Sequence, residues 1–299
     1  VCTVCKQQMK AKTIASDGAE KYYLNLQDAF AGVADGGTVT MLTTLKDDDK
    51  ISFCRDAEGK PVDKTVTLMM NGKSLSFEGA SPLYVESGKL IIGDDAAISQ
   101  PAQAPVPAVW VDNNDQGKDR GTLEFQGKAT ITGGLLIQNW GKLEGGLKEG
   151  TIITSNDTYS VSVERSETYS NVLGLLGDGL AFAKKGNPTE LVNGNVKKLT
   201  EDVIVVAHTH SVSSNGECAC GYTCPHNDFK DGKCTICGNG CAHTNVDENG
   251  LCRNCKTQMA VKITASDNTV TYGTDFAAAM RNATNGTTVT LLADIKWGV

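Results

Sequence analysis

The sequence predicts a mainly β protein: a parallel β-helix capped by one short N-terminal α-helix and followed by small β-hairpin units. Three observations lead there. From Thr38 to Ala207, short β-branched and apolar runs of mostly four to six residues follow one another, separated by Gly, Asn, Asp or Ser. One amphipathic helical pattern precedes them and no other of any length lies between them, which excludes a βαβ sheet. Asn-Gly and Asp-Gly pairs, which tolerate φ > 0 and favour tight hairpins, recur as a regular signal only in residues 208–255. Short strands without hairpin turns favour coils of three strands over a sandwich.

An internal repeat frames the chain. Residues 1–46 and 251–296 align without a gap at an offset of 250. Cys2, Cys5, Lys6, Gln8 and Met9 match Cys252, Cys255, Lys256, Gln258 and Met259. Tyr22 and Ala29 match Tyr272 and Ala279, and Gly36-x-Thr38-Val39-Thr40-x-Leu42 matches Gly286-x-Thr288-Val289-Thr290-x-Leu292. The chain therefore reads as one period of a tandem array plus the start of the next, cut from a longer protein.

The elements follow in order. Leu24, Leu26, Ala29, Phe30 and Val33 recur at helical spacing and predict a helix over 26–34, with a counterpart over 274–283. Strands are expected at 38–42, 65–70, 74–77, 83–86, 89–92, 108–112, 122–126, 129–132, 135–138, 151–154, 160–164 and 203–207. The helix stands where a stack of coils needs a cap over its first apolar layer, and residues 172–194 stand where the far end needs closing. The expected domains are a remnant unit at 1–10, a β-helix at 11–207, Cys/His units at 208–258 and a second β-helix start at 259–299.

The Cys/His stretch carries the clearest chemistry. All four histidines and eight of the eleven cysteines lie between His208 and Cys255. They form three units: His208, His210, Cys218 and Cys220; Cys224, His226, Cys234 and Cys237; and Cys241, His243, Cys252 and Cys255. In each, two ligands enter a turn (Asn215-Gly216, Asp231-Gly232, Asn249-Gly250) and two leave it. Four soft ligands converging on a point suit a tetrahedral structural zinc ion, and a fourth protein ligand leaves no open position for catalysis. A disulfide framework is the competing reading, but it does not explain why every histidine holds the same slot. Cys2 and Cys5 read as half of a unit without its partners. Cys54 reads as a small packed apolar residue.

Composition narrows the classes. The net charge is -7 and no basic run appears, which argues against a nucleic-acid partner. No apolar stretch approaches the roughly 18 residues of a membrane span. Phosphate loops, nucleophile elbows and paired-carboxylate signatures are missing, and histidines committed to metal leave none for a catalytic triad. No catalytic or organic-cofactor residue is assigned.

The run of Tyr22, Leu26, Ala29, Gly36, Thr38, Val39, Thr40 and Leu42 resembles the start of pectin-lyase-like, right-handed β-helix repeats in large surface proteins of Gram-positive gut bacteria. Leu175–Phe182 and the Cys-x-His units also look like segments of those proteins. The resemblance implies a right-handed β-helix in a secreted or cell-wall-associated, extracellular protein, with host or cell-wall glycans or surface proteins as partners.

Enzymes of that kind carry charged residues on one outward face. Asp112 and Asp115 are the matching candidates, as acid and base or as calcium ligands, with a solvated turn as the simpler reading of 112–120. Asp94-Asp95 and Asp47-Asp48-Asp49 read as exposed turns. Trp110, Trp140 and Tyr169 offer aromatic faces to a sugar, with partial burial along a strand as the simpler reading. The expected function is a non-enzymatic structural or adhesive module. A carbohydrate-active enzyme and a glycan-binding module are the alternatives.

Overall fold

The computed structural model describes residues 7–15, 18–47, 51–53, 60, 62–79, 82–101, 103–112, 121–210, 217–223, 229–230, 233–234, 241, 243, 245–253 and 255–294. Two compact units form, one from 1–210 with 219–222 and the other from 211–218 with 223–299.

The first unit opens with an antiparallel pair, β1 (Ala11–Ile14) and β2 (Glu20–Tyr23), and a helix, α1 (Leu26–Gly32). Fifteen strands follow in five sets of three. They are β3 (Thr38–Met41), β4 (Leu45–Asp47) and β5 (Ile51–Phe53); β6 (Thr65–Met69), β7 (Leu75–Phe77) and β8 (Leu83–Val85); β9 (Lys89–Ile92), β10 (Ala96–Ser99) and β11 (Val109–Val111); β12 (Thr122–Phe125), β13 (Ala129–Thr132) and β14 (Leu135–Ile137); and β15 (Lys142–Glu144), β16 (Ile152–Thr154) and β17 (Val161–Ser162). Each strand of the first four sets pairs in parallel with the strand three places on, so the chain visits three parallel sheets in rotation.

Register explains the core. Because side chains alternate along a strand, in-register parallel pairing places each inward residue on the inward residue of the next set. Leu45, Leu75, Ile98, Ile131 and Ile153 form one such column, and Ile51, Leu83, Val109, Leu135 and Val161 another. Every one of these ten is at most 2% exposed. At about 1.5–3 kcal/mol per buried apolar side chain, such columns are the main favourable term of the unit. Parallel pairing also rules out the antiparallel sandwich, and the protein is mainly β with parallel sheets, as the short strands predict.

Both ends of the stack switch to antiparallel pairing. At the start, β1 lies against β3, and α1 buries Leu26, Ala29 and Phe30, with the Phe30 and Phe53 rings edge to face at 5.3 Å. Asn25 caps α1 by accepting from Asp28 N at 2.7 Å. The helix stops two residues short of the predicted end because Val33 is already extended and Gly36 takes φ +72. At the other end, a 3-10 turn (Val172–Leu175) leads to β18 (Leu180–Lys184), β19 (Asn187–Leu191), β20 (Lys198–Leu199) and β21 (Val203–Ala207). Strand β21 pairs antiparallel with β16, and β20 with β17.

Acidic side chains tie neighbouring sets together. Asp94 accepts from Met70 N and Asn71 N at 2.8 and 2.6 Å, and Asp35 accepts from Thr65 N at 2.8 Å. Asp94 is therefore a bridge between sets rather than a plain exposed turn residue. Asp95 is exposed yet accepts from Lys128 N at 3.1 Å. Asp48, Asp49, Cys2, Cys5 and Cys54 lie outside the described residues.

In the second unit, β22 (Phe229–Lys230) and β23 (Lys233–Cys234) form a two-residue antiparallel pair. Further on come β24 (Val261–Thr264), β25 (Val270–Gly273), α2 (Phe276–Asn282) and β26 (Thr288–Leu291). Its sheet has the order β25-β24-β26.

Candidate metal centres

The first centre begins where β21 ends. His208 N donates to Gly179 O at 2.8 Å, fixing the backbone as it leaves the sheet. Cys220 O in turn accepts from Gly194 N at 2.8 Å. Gly221 has φ +89, and a Cβ there would stand 2.2 Å from Asn193 Oδ1, so this turn requires glycine. His210 Nδ1 lies 3.3 Å from Cys220 Sγ, and the His210 ring stacks on Tyr222 at 4.0 Å. Cys218 and Cys220 are buried. Burial, then the neighbouring His208, pushes the His210 pKa down, which favours the neutral imidazole that a metal needs.

The third unit builds the second centre. Asp247 Oδ1 accepts from Asn249 N and Leu251 N at 3.0 and 2.9 Å, and Gly250 N donates to Asp247 O at 3.0 Å. Gly250 takes φ +80, as the Asn-Gly turn predicted. After the turn, Cys252 N donates to Thr257 O at 2.9 Å and Lys256 N to Cys252 O at 2.8 Å, with Lys256 at φ +58. This knuckle points Cys252 and Cys255 the same way. Cys241 Sγ is 3.6 Å from Cys252 Sγ, and Cys255 Sγ is 3.4 Å from His243 Nδ1. Burial pushes the Cys241 thiol up to about 11. Burial also acts to raise Cys255, but hydrogen bonding with Thr257 and the neighbouring thiols outweighs it and its pKa falls. Ionisation is thus favoured at Cys255 over Cys241, and the thiolate is the ligand form.

The geometry suits a metal. In both clusters all four ligand atoms lie within 4.8 Å of one another. Tetrahedral zinc with Zn–S near 2.3 Å and Zn–N near 2.0–2.1 Å has S–S edges of about 3.8 Å and S–N edges of about 3.6 Å. The measured 3.6, 3.4 and 3.3 Å edges fall within a few tenths of an ångström of those values. Cys218, Cys220, Cys241, Cys252 and Cys255 are free thiols rather than disulfides. The remaining unit, Cys224, His226, Cys234 and Cys237, lies outside the described residues, apart from the backbone of Cys234.

The outward candidates on the third sheet fare differently. Asp112 is 3% exposed, which corrects the solvated-turn reading for that residue. Its carboxylate accepts from Asn139 Nδ2 at 2.7 Å and from Tyr84 Oη at 3.3 Å. Burial, reinforced by Asp112 and Glu86, raises the Tyr84 pKa. Asp115 lies outside the described residues. Trp110 meets Tyr84 edge to face at 5.1 Å and lines a groove of about 580 Å³ with Tyr84, Asp112, Asn139 and Arg165. Trp140 is half-buried in the turn after β14. Tyr169 is no sugar platform: its hydroxyl donates to Leu143 O at 2.9 Å and accepts from Leu143 N at 3.0 Å, so it caps the edge strand β15.

The sequence reading missed Tyr84, Asn139, Tyr222 and Thr257. Tyr84 left one usable signal, since it stands at the same outward position as Trp110 one set earlier. No protein-family model, curated protein or solved structure matches this chain.

Proposed function

We propose that the chain is a non-enzymatic structural module in which closed zinc centres stiffen the segment beyond a right-handed parallel β-helix block, in an extracellular or cell-surface setting. The observation that carries this is the pair of four-ligand clusters. Two cysteines with two histidines in one cluster, and three cysteines with one histidine in the other, suit tetrahedral zinc by ligand softness and leave no position open for substrate. The right hand is the usual one for parallel strand crossovers, and the rotation through three sheets fits a β-helix. Residues 241–259 hold few large apolar side chains, and metal binding worth about 10–16 kcal/mol in small metal-folded units would offset their ordering.

Elemental analysis of protein purified under reducing conditions tests the reading. Two zinc ions per chain are expected for the two described clusters, and more if the unit at Cys224–Cys237 also loads. Less than about one ion per chain, with thiols oxidised, would overturn it in favour of disulfides.

A glycan-binding module is the second reading, supported by the groove lined by Tyr84, Trp110, Gln138, Asn139 and Arg165. Binding on a glycan array that Trp110→Ala abolishes is its test. The enzymatic reading draws less support. Of the groove's carboxylates, Asp112 is held by Tyr84 and Asn139, and Glu164 pairs with Lys198 at 3.2 Å.

A further inference from the structure

We infer that the edge of β26 left unpaired among the described residues is an acceptor for a parallel β-strand, and that its occupant is a further coil of the kind β6 begins, joined C-terminally to β26 as β6 is to β3. The inference rests on the internal repeat and stands whether or not the metal is zinc.

The two copies build the same element. Ala11 pairs with Met41 and Tyr23, and Val261 with Leu291 and Gly273, so each register is displaced by 250. Each copy carries a seven-residue helix whose N-cap side chain, Asn25 or Asp275, accepts from the backbone N–H three residues on. They differ in what the last strand faces. Strand β3 pairs in parallel with β6 through Thr38 and Thr67, Val39 and Leu68, and Thr40 and Met69. Strand β26 pairs only with β24 among the described residues. The core positions respond accordingly. Phe30 and Met41 are 1% and 0% exposed, whereas their counterparts Met280 and Leu291 are 51% and 53% exposed.

An open edge flanked by large exposed apolar side chains is a surface that proteins ordinarily cover. Here the first copy shows the cover. Strand β6 turns Val66 and Leu68 inward, Thr65 N donates to Asp35, and the preceding Lys64 donates to the carbonyls of Phe30 in α1 and of Val33 just past it. Asn285 stands at the Asp35 position and keeps a side-chain oxygen to accept such an N–H. The occupant is therefore a strand alternating Thr outward with Val or Leu inward, led by a basic residue that reaches the end of α2.

The test is an extended chain in which residues 43–207 replace 293–299 after Leu292, compared with the unextended chain. Two readouts report the edge: peroxide oxidation of Met280 and amide exchange of residues 288–291. In the unextended chain Met280 should oxidise fast and β26 exchange fast. In the extended chain both should slow at least about tenfold, toward the behaviour of Met41 and β3. Leu291→Lys should be tolerated in the unextended chain and should undo the protection in the extended one. An appended block that is protease-resistant while Met280 still oxidises fast would overturn the proposal, as would an appended block that fails to fold. An unextended chain that sediments as a dimer with Met280 protected would assign the edge to a second copy and overturn the choice of occupant.

Discussion

Tyr169→Phe isolates one hydroxyl that finishes a sheet. Leu143 sits in β15, the last strand of its parallel sheet, and is 4% exposed. With no strand beyond it among the described residues, its N–H and C=O both turn to the Tyr169 hydroxyl, at 3.0 and 2.9 Å. Phenylalanine keeps the ring, which packs against Gly174 closely enough that a Cβ there would stand 2.9 Å from Tyr169 Cδ1. The substitution therefore removes two hydrogen bonds and little packing. Each bond contributes about 0.5–1.5 kcal/mol net, and a buried group left unpaired costs about 1–3 kcal/mol, so the loss should total about 2–4 kcal/mol. For a unit of this size that is roughly 5–15 °C in Tm. Urea unfolding measures the loss, and hydrogen exchange at Leu143 locates it. A change under about 0.5 kcal/mol with unchanged Leu143 protection would refute the edge-cap argument.

Three further outcomes follow from the same geometry. Gly121→Ala would place a Cβ 2.4 Å from both Asp112 O and Val85 O, backbone atoms that cannot swing aside, and should cost about 3 kcal/mol or more in thermal unfolding. Cys252→Ala should lower bound metal by one ion per chain and open residues 245–259 to protease, while exchange protection of the parallel sheets stays unchanged. Lys89 bonds Glu124 and Glu144 at 2.6 and 3.1 Å. The hydrogen bond from Lys89 leads the causes that lower Glu144 below its ordinary 4.5, so its contribution is present above that pH and lost as pH falls through the depressed value. The hydrogen bond from Glu124 leads those that raise Lys89, whose share is complete below its ordinary 10.5 and lost as pH rises beyond. Lys89→Met should flatten both limbs of a stability-against-pH curve.

What the sequence made legible was what is local. His208 and His210 are two residues apart, as are Cys218 and Cys220, and the Asn249-Gly250 turn needs nothing beyond its own φ, so ligand sets could be read from spacing. Strands with two or more inward β-branched or apolar residues, such as Thr65–Met69, were also readable. Leu45–Asp47, Ile51–Phe53, Ala96–Ser99 and Lys142–Glu144 were not, because each lies among charged or small residues with no run of β-branched side chains to mark it. They are strands because their neighbours in the stack supply the pairing. The same holds for polar partners. Gln27 brackets Ser52 by donating to its O at 2.9 Å and accepting from its N at 3.0 Å, across 25 residues, and Asn139 reaches Asp112 across 27 residues. No local pattern announces such a bond, since an isolated Gln or Asn reads as a solvated turn.

These long-range polar bonds have a common task, and it bears on the second copy of the repeat. A stack of parallel strands is finite only if its edges stop offering N–H and C=O groups. In the first unit Gln27 satisfies Ser52 at the edge of one sheet, Tyr169 satisfies Leu143 at the edge of another, and antiparallel strands β20 and β21 close the far ends of the remaining rows. Each device is a side chain or strand specific to its place. The second copy keeps the register, the helix cap and the Thr288-Val289-Thr290 strand, but Ala277 stands where Gln27 would be. An alanine cannot bracket a backbone amide. What the repeat preserves is the part that begins a stack, and among the described residues β26 carries none of the devices that end one.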